Sequence, residues 1–177
     1  MSLSVDRRAA RVEAMIFDVD GVLTRGDIIY GPEGEWKIFN AQDGMGFDLA
    51  RQAGLKLALF SGRSSKAVRR RAQELHVTAL VEGVKDKGAA IKDLFARLRV
   101  KPEQVCYVGD DLVDLPAMAA SGFPVAVANA VEEVRLAAAW VTTKRGGDGA
   151  AREVIEFVLK RRGLWPKVFQ RIARKSE

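Results

Sequence analysis

The residue pair best suited to chemistry in this sequence is Asp18 and Asp20, which stand one residue apart in the stretch EAMIFDVDGVLT. An apolar run, residues 14–17, precedes them, and Gly21 follows. Two carboxylates this close repel each other, and a poorly solvated neighbourhood increases that repulsion. A divalent cation between them would offset it, so we expect a metal site directly after the apolar run.

Short apolar runs alternate with helical patterns along the chain, without repeats, low-complexity tracts or long linkers. Continuous apolar runs are typical of strands buried on both faces of a parallel sheet. The alternation predicts a doubly wound α/β fold, in one domain of residues 1–177. The predicted strands are 12–17, 56–60, 78–81, 104–109, 124–128 and 140–143. The predicted helices are 44–53, 64–75, 86–98, 112–120, 131–138 and 148–161, with Gly54 and Gly122 at helix C-caps.

Chemically capable side chains follow several of these strands. Ligands of open α/β sheets bind beyond the carboxyl ends of the strands, so these side chains should meet in one crevice. An all-oxygen ligand set favours Mg²⁺, which neutralises charge and orients a phosphoryl group. An aspartate there can attack phosphorus and form an aspartyl phosphate. The residues of the expected crevice are Asp18, Asp20, Ser61, Lys87, Asp110 and Asp111, with Asp114 close behind.

The motif order resembles a known enzyme family. DVDGVLT, the Ser61-Gly62 step, Lys87 and GDDLVD resemble, in sequence, the four motifs of the haloacid dehalogenase superfamily of phosphatases. The resemblance implies that Asp18 is the nucleophile and a metal ligand. It implies that Asp20 is the general acid and then the general base, and binds the metal through its backbone carbonyl.

The same resemblance assigns roles to the remaining motif residues. Asp110 and Asp111 would hold Mg²⁺ with the first two aspartates. Ser61 would hydrogen-bond a phosphoryl oxygen, a contact that the Gly62 amide would supplement, and Lys87 would neutralise the phosphoryl group. A further acid, Asp114, is expected to orient the lysine or its loop rather than to bind metal.

Residues 27–39 interrupt the alternation and predict a β-hairpin around a Gly-Pro-Glu-Gly turn. The intervals between motifs leave no room for a large cap domain. A lone hairpin is marginal in water, so it either folds back on its own domain or, as we favour, pairs with another subunit. With KIFNAQDGMGF, FSGRSS, EGVKDK and GGDGAARE, it resembles the tetrameric branch that includes the 3-deoxy-D-manno-octulosonate 8-phosphate phosphatases. That resemblance implies a homotetramer formed through the hairpins.

Substrate recognition is inferred from the same branch, whose substrates are sugar-acid phosphates. Asp43 and Gly44 resemble a DG pair near the substrate, and Arg152 would reach a substrate anion unless it is a surface charge. Arg63 resembles a basic residue of the octulosonate enzymes, whereas the branch acting on nonulosonate 9-phosphates carries an acid there. The alternative is a surface arginine at a helix start. Gln42 departs from the branch, which often has a basic residue at that position.

The composition argues against several other kinds of protein. Hydrophobic residues make up 48% of the chain, yet none of its uncharged apolar runs reaches membrane-spanning length. The net charge is +6, but the basic clusters lie among other charges without an aromatic stacking pattern, which favours a solvated surface over nucleic-acid binding. The single cysteine, Cys106, excludes an intrachain disulfide and suits the cytoplasm.

Three further expectations concern isolated features. A phospho-accepting receiver module shares the fold and the acids, but its acceptor aspartate follows a middle strand, whereas Asp18 ends the first. His76 is interpreted as a helix-end or surface residue. The tail, residues 163–177, frames a neighbour's pocket, lies along the surface or is disordered.

Overall fold

A six-stranded parallel sheet forms the centre of the molecule in a computed structural model that describes residues 3–32 and 34–174. The strands of this sheet are β1 (Ala14–Phe17), β4 (Lys56–Phe60), β5 (Ala79–Val81), β6 (Val105–Gly109), β7 (Phe123–Ala126) and β8 (Trp140–Val141). Their spatial order is β5-β4-β1-β6-β7-β8, and each neighbouring pair is parallel. Strands β2 (Ile29–Gly31) and β3 (Gly34–Trp36) form a separate antiparallel hairpin.

Helices flank the sheet, as the doubly wound fold requires. The helices are α1 (Val5–Ala9), α2 (Ala41–Gln52), α3 (Lys66–Glu74), α4 (Lys87–Leu98), α5 (Leu115–Ala120), α6 (Glu132–Ala137), α7 (Ala150–Arg161) and α8 (Trp165–Arg174). Helix α7 packs against α1 and α2, whereas α5 packs against α4 and α6. Every residue of β1 and β6 is buried, which explains why these strands appear in the sequence as unbroken apolar runs.

The predicted sheet strands and the six predicted helices are present, with shifted ends. Helix α2 starts three residues earlier than predicted because Asn40 caps it, accepting a hydrogen bond from the Gln42 amide at 2.7 Å. The predicted helix 112–120 is instead a 3₁₀ turn, Leu112–Asp114, followed by α5. Strand β7 begins at Phe123, one residue before the predicted start at Pro124.

The two glycines predicted at helix C-caps differ. Gly54 follows α2 with a φ of +82°, the left-handed conformation expected there. Gly122 directly follows Ser121, the C-cap of α5, but without a positive φ. A Cβ on Gly122 would lie 2.6 Å from the backbone of Glu103. Glycine is therefore needed at this position for close backbone approach rather than for helix termination.

Isolated residues lie where the sequence suggested. Cys106 is buried in β6 as a free thiol, and His76 is exposed just after α3 with a φ of +50°. The tail, whose placement was open, forms α8 on the surface of its own chain, with Val168 buried and Arg171 donating to the carbonyl of Gln52 at 2.9 Å. Its last residues, 175–177, lie outside the described range. Within residues 3–32 and 34–174, the helices are too short or too polar to cross a membrane.

Candidate active site

The site lies where the sheet changes its direction of winding. Strand β1 pairs with β4 on one side and β6 on the other, with Phe17 opposite both Leu59 and Val108. The chain leaves β1 through a loop that starts at Asp18, whose amide donates to the Val108 carbonyl at 3.0 Å. The carboxyl ends of three adjacent parallel strands thus bring together the residues that follow them, as expected at a topological switch point.

Lys87 enters this edge from the first turn of α4. Asp86 caps the helix by accepting from the Ala89 amide at 3.0 Å, which fixes where the lysine starts. The Lys87 Nζ donates to Asp18 Oδ1 at 2.6 Å and to Asp114 Oδ1 at 2.7 Å. Burial opposes the charge of Lys87, but the two carboxylates outweigh it and raise the lysine pKa.

Asp114 is fully buried and both of its oxygens accept hydrogen bonds. Its Oδ1 accepts from Lys87 and from the Tyr107 hydroxyl at 2.7 Å. Its Oδ2 accepts from the backbone amides of Asp110 at 2.9 Å and Asp111 at 3.4 Å. These contacts fix the lysine and the acidic loop together, which is the orienting role that the sequence predicted.

The clustered acids fit a hard divalent cation. Asp18, Asp110 and Asp114 each place a carboxylate oxygen within 4.8 Å of the others. Burial, partly offset by Lys87, raises the pKa of Asp18 to about 7. Burial, followed by the neighbouring acids, raises the pKa of Asp110 to about 8. Because Asp114 is saturated by four donors, Asp18 and Asp110 are the carboxylates best placed to take a cation.

A crevice of about 250 Å³ opens beside these acids. Ser61 is buried and does not line the crevice, but its Oγ accepts from the amide of Arg63, which does, at 3.1 Å. The predicted site residues that line the crevice are Asp18, Asp20, Gly62, Arg63, Lys87, Asp110 and Asp111. The structure therefore brings the four motifs together at one opening.

Gly21 makes the close approach of two motifs possible. Its φ is +88°, and a Cβ on it would lie 1.9 Å from Asp110 Oδ2. Its amide donates to Thr24 Oγ1 at 3.3 Å, so the turn is closed by a side chain from the same loop. Glycine is required here both by conformation and by space.

The other predicted substrate residues lie elsewhere. Asp43, Gly44 and Arg152 are not among the residues lining the crevice. Asp43 is buried and its Oδ1 accepts from the backbone amide of Arg152 at 2.8 Å. Asp43 therefore caps α7 from a neighbouring helix, and burial raises its pKa. The Arg152 side chain bonds to Glu156 at 2.7 Å, and contact of these residues with substrate stays a prediction.

Sequence reasoning missed two hairpin residues that contact the crevice lining. Lys37 Nζ donates to Asp20 Oδ1 and to Glu35 Oε1. Glu35 Oε2 accepts from Arg63 Nη2 at 2.8 Å. Burial would lower the pKa of Lys37, but the hydrogen bonds to both carboxylates outweigh it and raise that pKa. The spacing of Glu35 and Lys37 was an available signal, because residues two apart on a strand share a face.

Comparison with known proteins agrees with this geometry. A family model described as haloacid dehalogenase-like hydrolase matches residues 80–154. The 3-deoxy-D-manno-octulosonate 8-phosphate phosphatase of Yersinia pestis is 43% identical over 156 residues, covering 88% of this chain and 83% of the relative. The same enzyme of Escherichia coli K12 is 41% identical over 164 residues, covering 92% and 87%.

A solved structure extends the similarity to three dimensions. The phosphatase of this name from Moraxella catarrhalis, crystallised with magnesium, phosphate and KDO, superposes with a TM-score of 0.91 at 39% identity, covering 95% of this chain and 97% of that one. The sequence relationship and the superposition each extend over nearly the whole chain. The chain therefore belongs to the 3-deoxy-D-manno-octulosonate 8-phosphate phosphatase family of the haloacid dehalogenase-like hydrolases.

Proposed function

We propose that this protein is a Mg²⁺-dependent phosphatase that releases phosphate from 3-deoxy-D-manno-octulosonate 8-phosphate, a step of lipopolysaccharide sugar synthesis. The observation that carries the proposal is the buried Asp18–Lys87–Asp114 ion-pair cluster opening into a crevice beside Asp20 and Asp110. The relative crystallised with magnesium, phosphate and KDO supports the substrate and the metal.

Asp18 is the proposed nucleophile. Lys87 holds Oδ1, which leaves Oδ2 as the oxygen available to attack phosphorus. As the Asp18–phosphorus bond forms, the bond from phosphorus to the sugar oxygen breaks, and the leaving oxygen takes a proton from Asp20. Lys87 balances the charge of the phosphoryl group, and Ser61 with the Gly62 amide holds its oxygens.

In the second half of the reaction, Asp20 acts as a general base. It takes a proton from the water that attacks the aspartyl phosphate, so free phosphate leaves and both carboxyl groups return to their first state. Asp18, Asp110, Asp111 and the backbone carbonyl of Asp20 would hold Mg²⁺. When bound, Mg²⁺ supplies charge neutralisation and orients the phosphoryl group.

Specificity for the octulosonate is proposed to depend on Arg63 at the rim of the crevice. Arg63 is exposed and its guanidinium pairs with Glu35. Glu35 therefore orients the guanidinium before substrate binds. The remaining donors of Arg63 would then bind the carboxylate of the sugar acid. We propose that three residues outside the crevice also contribute to substrate recognition: Asp43, Gly44 and Arg152.

We also infer a homotetramer formed through the hairpin. Strands β2 and β3 are three residues each, too short to be stable alone, yet Tyr30, Trp36 and Ile38 are 81%, 58% and 75% exposed. Large apolar side chains concentrated on one small element are typical of an interface. A cytoplasmic location is part of the same proposal, and the buried free Cys106 is compatible with a reducing compartment.

The proposed function is tested by phosphate release with Mg²⁺. The panel holds octulosonate 8-phosphate, two nonulosonate 9-phosphates and ordinary sugar phosphates, with Asp18→Asn as the control. We expect multiple turnovers with the octulosonate and none with the variant. A preference for a nonulosonate would overturn the substrate, and substantial activity of Asp18→Asn would overturn the nucleophile. A phosphorylated protein stable for minutes, without turnover, would favour a receiver module.

A further inference from the structure

Lys37 is a lysine with a buried side chain, and it comes from the hairpin rather than from the core. It follows β3 directly, and its side chain has 0% exposed surface. Its ammonium group donates to Asp20 and to Glu35, one partner in the loop after β1 and one in its own hairpin. Removing an ammonium from water costs several kcal/mol unless partners compensate for it. The two carboxylates are the groups that compensate Lys37.

Glu35 extends these contacts to the loop after β4. Its second oxygen accepts from Arg63, so four side chains alternate in the order Asp20, Lys37, Glu35, Arg63. Their formal charges sum to zero. The chain of contacts ties the hairpin to the two loops that carry the first two motifs, and its buried member is bonded to the residue proposed as general acid.

A general acid must present its proton within hydrogen-bond reach of the leaving oxygen. An aspartate on a loop has several rotamers, and only some of them point along the reaction path. Asp20 is 22% exposed in its side chain, so packing alone does not fix it. Lys37 binds Oδ1 of Asp20 and thereby selects an orientation in which Oδ2 is the oxygen left for proton transfer.

We propose that Lys37 is a positioning residue that holds the Asp20 carboxyl group at the leaving oxygen, and that Glu35 keeps Lys37 in place. Proton transfer from Asp20 to the leaving oxygen is part of the proposed phosphatase function, and the inference rests on that function. The competing explanation is that Lys37 merely anchors the hairpin. The two differ in one measurable respect, because positioning acts only through Asp20 and only where the leaving group needs a proton.

The test compares leaving groups in the Lys37→Met variant. The alkyl and aryl substrates are octulosonate 8-phosphate and phenyl phosphate, whose leaving oxygens require a proton, and 2,4-dinitrophenyl phosphate, whose leaving group does not. The measured quantity is kcat/KM, which for a two-step enzyme of this kind reports the first, bond-breaking step. Lys92→Met, an exposed lysine on α4, is the matched control for loss of a positive charge.

We expect kcat/KM of Lys37→Met to fall by about 100-fold with the first two substrates. The value for 2,4-dinitrophenyl phosphate should be unchanged, as should all values for Lys92→Met. In a double variant with Asp20→Asn, the lysine change should add no further loss, because both act through one carboxyl group. Lys37→Arg should restore part of the activity, and Mg²⁺ binding measured by calorimetry should be retained in each variant.

Equal losses with all three substrates, or an additive loss in the double variant, would overturn the positioning role. Where Lys37→Met fails to fold, Lys37→Gln replaces it, because its amide still donates to one carboxylate and should give the same pattern with smaller losses. A wild-type protein that hydrolyses aryl phosphates but no sugar-acid phosphate would overturn the proposed substrate alone. The comparison of the two aryl phosphates would still decide the role of Lys37.

Discussion

Two carboxylates of the buried cluster, Asp18 and Asp114, share Lys87 but differ in everything else around them. Asp114 accepts from a lysine, a tyrosine and two backbone amides, so its oxygens are fully occupied. Asp18 has one oxygen on the lysine and lines the crevice. Residue type therefore does not separate the proposed nucleophile from the orienting residue, whereas the number of donors around each does.

The occupied state of Asp114 predicts a large loss of stability in Asp114→Asn. The amide has one acceptor oxygen, so donors on the side of its NH₂ group would be left buried and unpaired. We expect the free energy of unfolding to fall by about 3–5 kcal/mol, measured by urea denaturation. Asp93→Asn, on the exposed side of α4, is the control and should change it by less than about 0.5 kcal/mol. A loss no larger than that of the control would contradict this account of the cluster.

The raised pKa values predict a pH-dependent effect of Mg²⁺. In the metal-free protein, Asp18 and Asp110 have pKa values of about 7 and about 8 against an ordinary value of 3.8. Their contribution to stability is therefore present in full below pH 3.8 and is lost as the pH rises through those values. Mg²⁺ requires the deprotonated carboxylates and competes with their protons. Mg²⁺ should therefore raise the melting temperature more at pH 8.5 than at pH 6.

Differential scanning fluorimetry at the two pH values measures this difference. Asp110→Asn is the control, because it removes one of the proposed carboxylate ligands and should abolish most of the shift at either pH. An equal Mg²⁺ shift at both pH values in the unaltered protein would contradict the assignment of the site.

At the scale of elements, the loop after β1 determines the geometry of the site. It must carry Asp18 and Asp20 past the end of the strand and let Asp110, from the adjacent β6, approach. Gly21 permits this because it lacks a Cβ and adopts a positive φ. Asp86 caps α4 and fixes the start of that helix, and it thereby positions Lys87. Short caps and turns, rather than the strands themselves, set the distances within the site.

Two variants, Gly21→Ala and Gly54→Ala, distinguish backbone strain from steric collision of the added Cβ. Both glycines have φ above +80°, but a Cβ at Gly54 would meet nothing within 4 Å. Gly54→Ala should therefore lose only about 1–2 kcal/mol of stability from the left-handed backbone. Gly21→Ala should lose more, and should bind Mg²⁺ about 10–100-fold more weakly because Asp110 is displaced. Chemical denaturation and calorimetric Mg²⁺ titration measure the two effects, and equal behaviour of the variants would contradict the proposed collision.

At the scale of the whole molecule, the hairpin is the element through which we propose that subunits assemble. Its Lys37 and Glu35 contact Asp20 and Arg63 of the crevice lining. It also exposes three large apolar side chains, Tyr30, Trp36 and Ile38. The proposed assembly would couple to the site, because burial of these apolar residues would stabilise the hairpin that carries the two charged ones.

A charge on the hairpin should break the proposed assembly. The unaltered protein should elute with a mass four times that of the 19.4 kDa chain in size-exclusion chromatography with light scattering. Ile38→Asp should reduce that mass, because a carboxylate would be buried at the interface. Leu136→Asp is the matched control, since Leu136 is 78% exposed and Ile38 75%. A monomer in the unaltered protein, or equal masses for the two variants, would contradict assembly through the hairpin.

The sequence by itself predicted the sheet and the motif residues at its edge. Runs such as residues 14–17 and 105–109 are apolar because both faces of those strands are covered, and residues directly after parallel strands must share one edge. The local signals were strong enough for strand positions and for the four motifs. They were weaker for element ends, where a capping residue such as Asn40 moves a boundary by several residues.

Only the tertiary structure decided which residues contact each other. It placed Asp43 at the start of α7 instead of in the crevice, and it brought Lys37 and Glu35 to Asp20 and Arg63. It also gave Asp114 four donors, of which Lys87 comes from α4 and the other three from β6 and the loop that follows it. The contacts of Asp43 with Arg152, of Arg63 with Glu35 and of Lys87 with Asp114 join residues far apart in the chain. Their energies depend on burial and on partners that no local pattern contains. Periodicity and motif spacing indicate the secondary structure and burial of each segment, whereas the packing of the segments determines which charges are paired.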